Sequence, residues 1–167
     1  MKLVNINGRF LSQDITGVQR FAIQLIQALD RWMAVDPELR ARYTFRVLTP
    51  RRRTHSLDVE HISVQPVGRL AGNLWEQLEL PVYTSGGMLL NLCNTAPVAR
   101  AAVVAIHDAS VFAIPHAYSR AFRAWYRALL PFIGRRALRV LTDSRFSRSE
   151  LSRWVNIPED KVEIVPL

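Results

Sequence analysis

The sequence predicts an α/β protein built on a Rossmann-like parallel sheet with helices on both faces. Short strand-like segments alternate along the chain with helical patterns, which is the order that parallel β-α-β units require. Two segments, Met88 to Cys93 and Ala101 to Ile106, are apolar runs bounded by Gly, Asn and Pro, as is typical of strands covered on both faces. The chain has 167 residues, 49% of them hydrophobic, which is enough to form the core of one domain.

The first two elements follow from two different hydrophobic periods. Lys2 to Asn7 alternates apolar and polar residues, which predicts a first strand followed by a loop. From Gly17 onward apolar residues recur every three or four positions, which predicts an amphipathic helix. Thr16 and Gln19 have the spacing of a capping box at its start, and the Asp-Pro pair at 36–37 ends it.

The remaining elements complete the alternation. We predict strands at Tyr43 to Thr49, His61 to Val67, Leu138 to Thr142 and Lys161 to Val165. A helical stretch is predicted from Leu70 to Leu80, where Pro81 stops it, and a helix from Tyr118 to Arg136, which Pro131 interrupts. A short helix is predicted to begin at the capping-box pair Ser147 and Glu150. No internal repeat or linker is visible, so we predict one domain over residues 1–167. Because the last predicted strand reaches the end of the sequence, we expect the chain to be part of a longer protein.

The composition excludes several classes of protein. The longest unbroken apolar run extends only from Ala101 to Ile106, against about 20 residues for a membrane span, and no signal peptide is visible at the start. Cys93 is the only cysteine, so neither an internal disulfide nor a cysteine-based zinc site can form. The histidines lack ligand spacing and no Asp-x-Asp motif occurs, so we expect no metal. We expect a cytoplasmic protein.

The positive charge leaves more than one kind of partner open. Lys and Arg number 22 against 14 Asp and Glu, a net charge of +8, and such an excess attracts nucleic acid, acidic lipid head groups and phosphorylated small molecules alike. The sequence has no helix-turn-helix, zinc-finger or RNP-type signature, so we expect no specific nucleic-acid binding. A non-catalytic basic α/β module that binds nucleic acid or another anionic partner is the alternative function.

A basic stripe marks the helix predicted over residues 118–136. Arg120, Arg123 and Arg127 are spaced i, i+3 and i+7, so they share one helix face. Together with a stripe of aromatic and aliphatic residues on the same helix, this pattern is typical of helices that contact an anionic membrane surface. It is equally typical of a core-facing helix with a solvated arginine face. Both interpretations stay open.

Candidate site residues follow from the predicted sheet. In open α/β sheets, ligands bind beyond the carboxyl ends of the strands. Four polar segments lie there: the loop Gly8 to Gly17 with its helix N-terminus, Asn91 to Thr95, His107 with Asp108, and Thr142 to Arg145. The charge of His107 can change near neutral pH, so its imidazole could bind a sugar hydroxyl or shuttle a proton, or it could be a structural histidine at a strand end.

Six short motifs follow one another along the chain in a characteristic order. They are Gly17-Val18-Gln19-Arg20-Phe21, Leu74-Trp75-Glu76-Gln77 with Leu80-Pro81, Asn94-Thr95-Ala96-Pro97, Val104-Ala105-Ile106-His107-Asp108 followed by Pro115, Thr142-Asp143-Ser144-Arg145-Phe146-Ser147 with Glu150-Leu151, and Ile157-Pro158-Glu159-Asp160-Lys161-Val162. In this order the chain resembles the N-terminal domain of family 4 glycosyltransferases of the GT-B fold, and is similar to bacterial mannosyl- and rhamnosyltransferases of cell-surface polysaccharide assembly.

The resemblance implies the acceptor-binding half of a retaining glycosyltransferase, a hexosyltransferase that moves a sugar from a nucleotide-sugar to a glycan or lipid-linked acceptor. The nucleotide-sugar is then a co-substrate, with no covalently bound cofactor. The E-x7-E motif and the nucleotide-sugar site belong to a C-terminal domain that this sequence does not contain, and that domain is an implied partner. A lipid-linked acceptor favours peripheral contact with the inner face of the membrane.

The resemblance also assigns roles to particular residues. His107 and Asp108 are the implied catalytic residues, at the reacting sugar. Thr16 and Gly17, with Ser144 and Arg145, are the residues implied to contact the donor diphosphate and the adjoining rim of the cleft. The residues implied to contact the acceptor are Asn94 and Thr95. The first loop has Ile15-Thr16-Gly17 where many members of the family have a Gly-Gly pair.

Overall fold

Seven strands form one all-parallel sheet flanked by helices in the computed structural model, which describes residues 1–166. The spatial order is β3-β2-β1-β4-β5-β6-β7. The strands are β1 Lys2–Asn7, β2 Tyr43–Thr49, β3 Ser63–Pro66, β4 Met88–Asn91, β5 Val103–Ala105, β6 Arg139–Thr142 and β7 Val162–Ile164. The predicted Rossmann-like fold class is therefore confirmed. Leu167, the last residue of the predicted domain, lies outside the described residues.

The connections between the strands contain seven α-helices and several shorter turns. The helices are α1 Gly17–Val35, α2 Pro37–Arg42, α3 Gly72–Leu74, α4 Leu80–Tyr83, α5 Ser110–Ala113, α6 Arg120–Arg136 and α7 Arg145–Glu150. A π-helical turn, Trp75–Glu79, joins α3 to α4, and another, Leu151–Val155, follows α7. Single 3₁₀ turns lie at Arg9–Ser12, Pro115–Ala117 and Glu159–Lys161.

The core consists of two clusters of apolar side chains on opposite faces of the sheet. Successive residues of a strand point to opposite faces, and on β5 Val104 belongs to one cluster whereas Ala105 belongs to the other. The first cluster is covered by α6, through Leu129 and Ile133, and the second by α1, through residues such as Ile26. Because both faces are covered, β4 and β5 are apolar along most of their length, whereas β1 contains the buried polar residues Asn5 and Asn7.

The start and end predicted for α1 are confirmed. At the start, the side-chain oxygen of Gln19 accepts a hydrogen bond of 3.1 Å from the backbone N–H of Thr16. At the end, Asp36 leaves the helical conformation, and its carboxylate accepts a hydrogen bond of 2.9 Å from the N–H of Leu39. Asp36 thereby caps α2, in which Pro37 occupies the first turn, where a missing N–H is tolerated.

Two predicted helix breaks at proline are wrong. The helical stretch does not stop at Pro81, because the π turn before it bonds the Leu80 N–H to the Trp75 carbonyl and restarts the helix. Pro81 then occupies the first turn of α4, where its missing backbone N–H leaves no helical hydrogen bond unmade. Pro131 does not interrupt α6. An interior proline costs about 3 kcal/mol or more, and here the burial of Leu130 and Ile133 on either side of Pro131 offsets that cost.

The capping box predicted at Ser147 and Glu150 is also wrong. The helix begins three residues earlier, because Ser144 is extended and its hydroxyl accepts a hydrogen bond of 3.1 Å from the Ser147 N–H. The predicted strands at 88–93 and 101–106 exist but are shorter, at Met88–Asn91 and Val103–Ala105.

A buried carboxylate on α1 fixes the loop that leads into β3. Asp30 is only 7% exposed. Its oxygens accept hydrogen bonds from the backbone N–H groups of Glu60, His61 and Ile62 at 2.9, 2.8 and 2.8 Å. Burial raises the pKa of Asp30, but these donors and the nearby His61 outweigh burial, so the pKa lies below its ordinary value.

We expect Asp30→Asn to lower the free energy of unfolding by about 1–3 kcal/mol near neutral pH, because an amide cannot accept all three bonds. A carboxylate with a depressed folded-state pKa stabilises the fold above its unfolded pKa of about 3.9, and this contribution disappears as pH falls through the folded pKa. Urea unfolding from about pH 7 to about pH 2 should therefore show the wild-type advantage shrinking with acid. Asp58→Asn, at an exposed position of the same loop, is the control. A difference in unfolding free energy between wild type and Asp30→Asn that stays constant with pH would contradict this account.

Candidate functional site

The strand order creates a cleft at the carboxyl edge of the sheet. β1 pairs with β2 on one side and with β4 on the other, so the chain connections diverge between β1 and β4. In α/β sheets such a reversal of strand order is where ligands bind. A cleft of about 400 Å³ opens here, within the size range of small-molecule sites. It is lined by the segments that follow β1, β4 and β5 and by α6.

One wall of the cleft is aromatic. On α6 the centroid of the Phe122 ring lies 4.3 Å from the centroid of the Tyr126 ring. It lies 5.3 Å from the centroid of the ring of Tyr118, which comes just before the helix. The Tyr118 hydroxyl is 2.6 Å from the Ser110 hydroxyl, which ties this wall to α5. Burial raises the pKa of Tyr126, so its hydroxyl stays protonated. The apolar stripe predicted on this helix therefore has two environments. Phe122 and Tyr126 line the cleft, whereas Leu129 and Ile133 are buried in the core.

The opposite side of the cleft is polar. Gln13 and Thr16 come from the segment between β1 and α1, Gln19 comes from the first turn of α1, and Asn94 and Asp108 follow β4 and β5. Amides, a hydroxyl and a carboxylate thus face stacked aromatic rings across one cleft. Three of the sequence-predicted site residues, Thr16, Asn94 and Asp108, are brought together here.

A buried ion pair lies beside the cleft. The Arg9 Nε is 2.5 Å from a carboxylate oxygen of Glu76, and the pair's side chains are 10% and 1% exposed. Arg9 also donates to the Thr95 hydroxyl at 2.8 Å, and Thr95 donates to Glu76 at 3.0 Å. A third bond, 2.6 Å, joins Arg9 to the side-chain oxygen of Asn73. Thr95, a predicted acceptor residue, is therefore buried in this network and does not line the cleft.

Sequence reasoning missed Arg9 as a site residue. It lines the cleft itself and also an adjoining one of about 420 Å³. Its position directly after Gly8, at the carboxyl end of β1, is the signal that could have found it. At Gly8 a Cβ would lie 2.7 Å from the Leu48 carbonyl oxygen. Glycine is therefore required where the chain leaves β1, close to β2, and enters this loop.

His107 is held by the protein at both ring nitrogens. Nδ1 lies 3.0 Å from both carboxylate oxygens of Asp143, and Nε2 lies 3.0 Å from the Leu92 carbonyl oxygen. The edge-to-face ring of Phe21 is 4.8 Å away, and His107 is 6% exposed. Both ring nitrogens therefore lie within hydrogen-bond distance of oxygen acceptors, and these contacts fix the orientation of the ring.

Asn94 connects the β4 and β5 segments. Its backbone has a φ of +59°, a conformation that asparagine tolerates better than most residues. In this conformation its side-chain oxygen accepts a hydrogen bond of 2.8 Å from the His107 N–H, and its own N–H donates to the Ala105 carbonyl at 3.0 Å.

The other predicted site residues lie apart from the cleft lining. Gly17 is exposed at the start of α1, where an added Cβ would meet nothing within 4 Å. Ser144 uses its hydroxyl to cap α7, and Arg145 is exposed at the first position of that helix. A role for these residues toward a donor diphosphate stays a prediction.

Cys93 lines the cleft but is not activated. Burial raises the pKa of its thiol to about 12, with the nearby Arg9 cation lowering it and Glu76 raising it. The thiol is therefore protonated at neutral pH and is a poor nucleophile. Residues 1–166 hold no group of three or more His, Cys, Asp or Glu side chains placed to bind a metal ion.

Taken together, the parallel sheet and the cleft at its reversal of strand order define a Rossmann-like α/β protein with a small-molecule-sized site. No protein-family model matches the chain, and a search of curated proteins finds no significant match. Among the described residues, no helix combines the length and the apolar character needed to cross a bilayer.

We expect Glu76→Gln to lower the free energy of unfolding by about 3–5 kcal/mol, because it leaves the Arg9 cation buried without its counter-charge. Replacing both partners, as Arg9→Met with Glu76→Leu, should cost less than the single change, since no buried charge remains. Urea unfolding of the wild type, Arg9→Met, Glu76→Leu and the double variant, which form a double-mutant cycle, measures the coupling.

The control is the pair of half-buried Arg148 and exposed Glu159, whose nearest atoms are 3.4 Å apart. Glu159→Gln should change stability by at most about 1 kcal/mol. Equal losses for Glu76→Gln and Glu159→Gln would show that the buried pair has no special role.

Proposed function

We propose that the chain is the acceptor-binding half of a retaining glycosyltransferase of the GT-B type, which transfers a sugar from a nucleotide-sugar to a glycan or lipid-linked acceptor. The observation that carries this proposal is the cleft at the carboxyl edge of the sheet, where an aromatic wall faces a polar one. The order of sequence motifs that resembles family 4 glycosyltransferases supports it independently.

The two walls of the cleft match the chemistry of a sugar ring. A pyranose presents hydroxyl groups at its edge and C–H groups on its faces. The side chains of Gln13, Gln19 and Asp108 offer donors and acceptors for hydroxyls. The stacked rings of Tyr118, Phe122 and Tyr126 together offer an apolar surface for a C–H face, and Phe122, the middle residue, is 40% exposed.

Of the two proposed catalytic residues, Asp108 lines this cleft, whereas His107 is buried and is not among the described lining residues. Asp108 is exposed on the cleft lining, and one of its oxygens accepts a hydrogen bond of 2.8 Å from the Ser110 N–H, which fixes its orientation. For His107 to contact the transferring sugar, its Nε2–H must exchange the Leu92 carbonyl for a sugar oxygen. Asp143 would then hold the ring in place through Nδ1.

Saturation-transfer NMR with a panel of methyl pyranosides and disaccharides tests acceptor binding. We expect signals from bound sugar, and Phe122→Ala should remove them because it deletes the middle ring of the aromatic wall. Phe132→Ala is the matched control, since Phe132 is an exposed aromatic residue on the same helix outside the cleft lining. No sugar binding at millimolar concentration, or equal losses in both variants, would refute the acceptor site.

The same samples distinguish the alternative of an anion-binding module. A nucleic-acid-binding protein would bind random duplex DNA with a steep negative salt dependence. Under the proposal, the chain has little affinity for DNA at physiological salt. It also transfers no sugar from UDP-, GDP- or dTDP-sugars by itself, because transfer requires both substrates held in one geometry.

In the two-domain enzyme that the proposal implies, we expect His107→Ala to lower turnover by about 10²- to 10³-fold, as for the loss of one transition-state hydrogen bond. A purely structural histidine would behave in the opposite way, with a lower Tm and unchanged turnover of the folded fraction. Turnover and Tm measured on the same variant separate the two roles, and a folded, fully active variant would remove His107 from the catalytic site.

A further inference from the structure

A second concave surface lies on α6, outside the cleft. It is an open depression of about 400 Å³ lined by Arg120, Arg123, Arg127 and Ala124, and we call it the arginine depression. The three arginines, spaced i, i+3 and i+7, therefore line one depression, with Arg120 and Arg127 exposed and Arg123 half-buried. None of its lining residues belongs to the cleft.

The positive charge of the arginine depression is not compensated locally. Between Asp108 and Asp143 the sequence has no acidic residue, and α6 has five arginines and no Asp or Glu. Within residues 1–166 none of the three arginines forms an ion pair. Like charges at these spacings repel one another, so an anion between them would relieve that repulsion.

The guanidinium groups are also partly fixed in place. Arg127 lies over the Phe112 ring, with 5.7 Å from its central carbon to the ring centroid. The Nε of Arg123 is buried and has no hydrogen-bond partner among the described residues. A buried donor without an acceptor is costly, and an anionic oxygen is the acceptor that a guanidinium binds most strongly.

We propose that the arginine depression binds a phosphate group. A phosphate carries about −1.5 to −2 charges at neutral pH and three acceptor oxygens, which suits three guanidinium forks better than a carboxylate with one charge and two oxygens. The phosphate belongs either to a soluble small molecule or to a lipid head group. The proposal is independent of the glycosyltransferase assignment, because it uses no residue of the cleft.

The test compares two variants with the same change in net charge. Arg120, Arg123 and Arg127 are changed to Gln in one. Arg31, Arg52 and Arg53, which are exposed elsewhere on the chain, are changed to Gln in the other. Calorimetric titration with inorganic phosphate at low ionic strength should show at least about tenfold weaker binding for the first variant and less than about twofold weakening for the second. Acetate should bind the wild type more weakly than phosphate.

Vesicles distinguish the two sources of phosphate. Retention of the wild type, but not of the first variant, on phosphatidylcholine vesicles containing phosphatidic acid would support a lipid head group. Phosphate binding without retention would support a soluble ligand. Equal phosphate affinity of the wild type and the first variant, or equal weakening in both variants, would overturn the proposal.

A spectroscopic readout keeps the test valid if the triple variant does not fold. In wild-type protein, arginine Nε–Hε resonances are followed during a phosphate titration and assigned with single Arg→Lys changes. The proposal requires the largest shifts at Arg120, Arg123 and Arg127. Uniform small shifts across all the arginines would refute it.

Discussion

The pairing of β1 with two parallel partners is the constraint on which the rest of the structure depends. Ile6 of β1 lies opposite Val47 on one side and Leu90 on the other. Because parallel neighbours need crossover connections of fixed hand, the chain must leave β1 toward one side of the sheet and return at β4 on the other. At the point of divergence the Asn7 amide donates to the Asn91 side-chain oxygen at 2.9 Å, and the Arg9 N–H donates to Asn7 at 3.1 Å. The cleft, its polar wall and the buried ion pair all follow from this divergence.

The arginines of this basic chain occupy three distinct electrostatic settings. Arg9 is neutralised by a buried carboxylate, whereas Arg46 and Arg100 extend to the backbone carbonyls of residues 83 and 87 at 2.9 and 2.6 Å. Within residues 1–166, the arginines of the arginine depression have neither kind of partner. The net charge of +8 therefore describes the surface poorly, because part of it serves internal structure and the rest is concentrated in particular places.

The sequence alone was sufficient to predict all seven strands in order along the chain and the two long helices α1 and α6, because these segments carry strong hydrophobic patterns. It did not predict the short helices α2 and α5. It failed where tertiary contacts outweigh local preference, as at Pro131, or where an unusual turn changes the hydrogen-bond pattern, as before Pro81. At the site, Thr16, Asn94 and Asp108 could be anticipated because they follow strand ends. The pairing of Arg9 with Glu76 could not, since nothing in either segment specifies a contact between residues so far apart in the chain.

The bonds around His107 also determine how the cleft can move. Asn94 binds the His107 backbone and Asp143 binds its ring, across 13 and 36 residues of sequence, so the segments after β4, β5 and β6 are crosslinked to one another. A displacement of any one of these segments must be shared by the other two. The segment before α1 is held at its start by the buried pair of Arg9 and Glu76. At its end Thr16 and Gly17 are exposed, and the hydrogen bonds described for Thr16 stay within residues 16–20. The rim around Thr16 is therefore the part of the cleft that is expected to shift while the segments around His107 stay together.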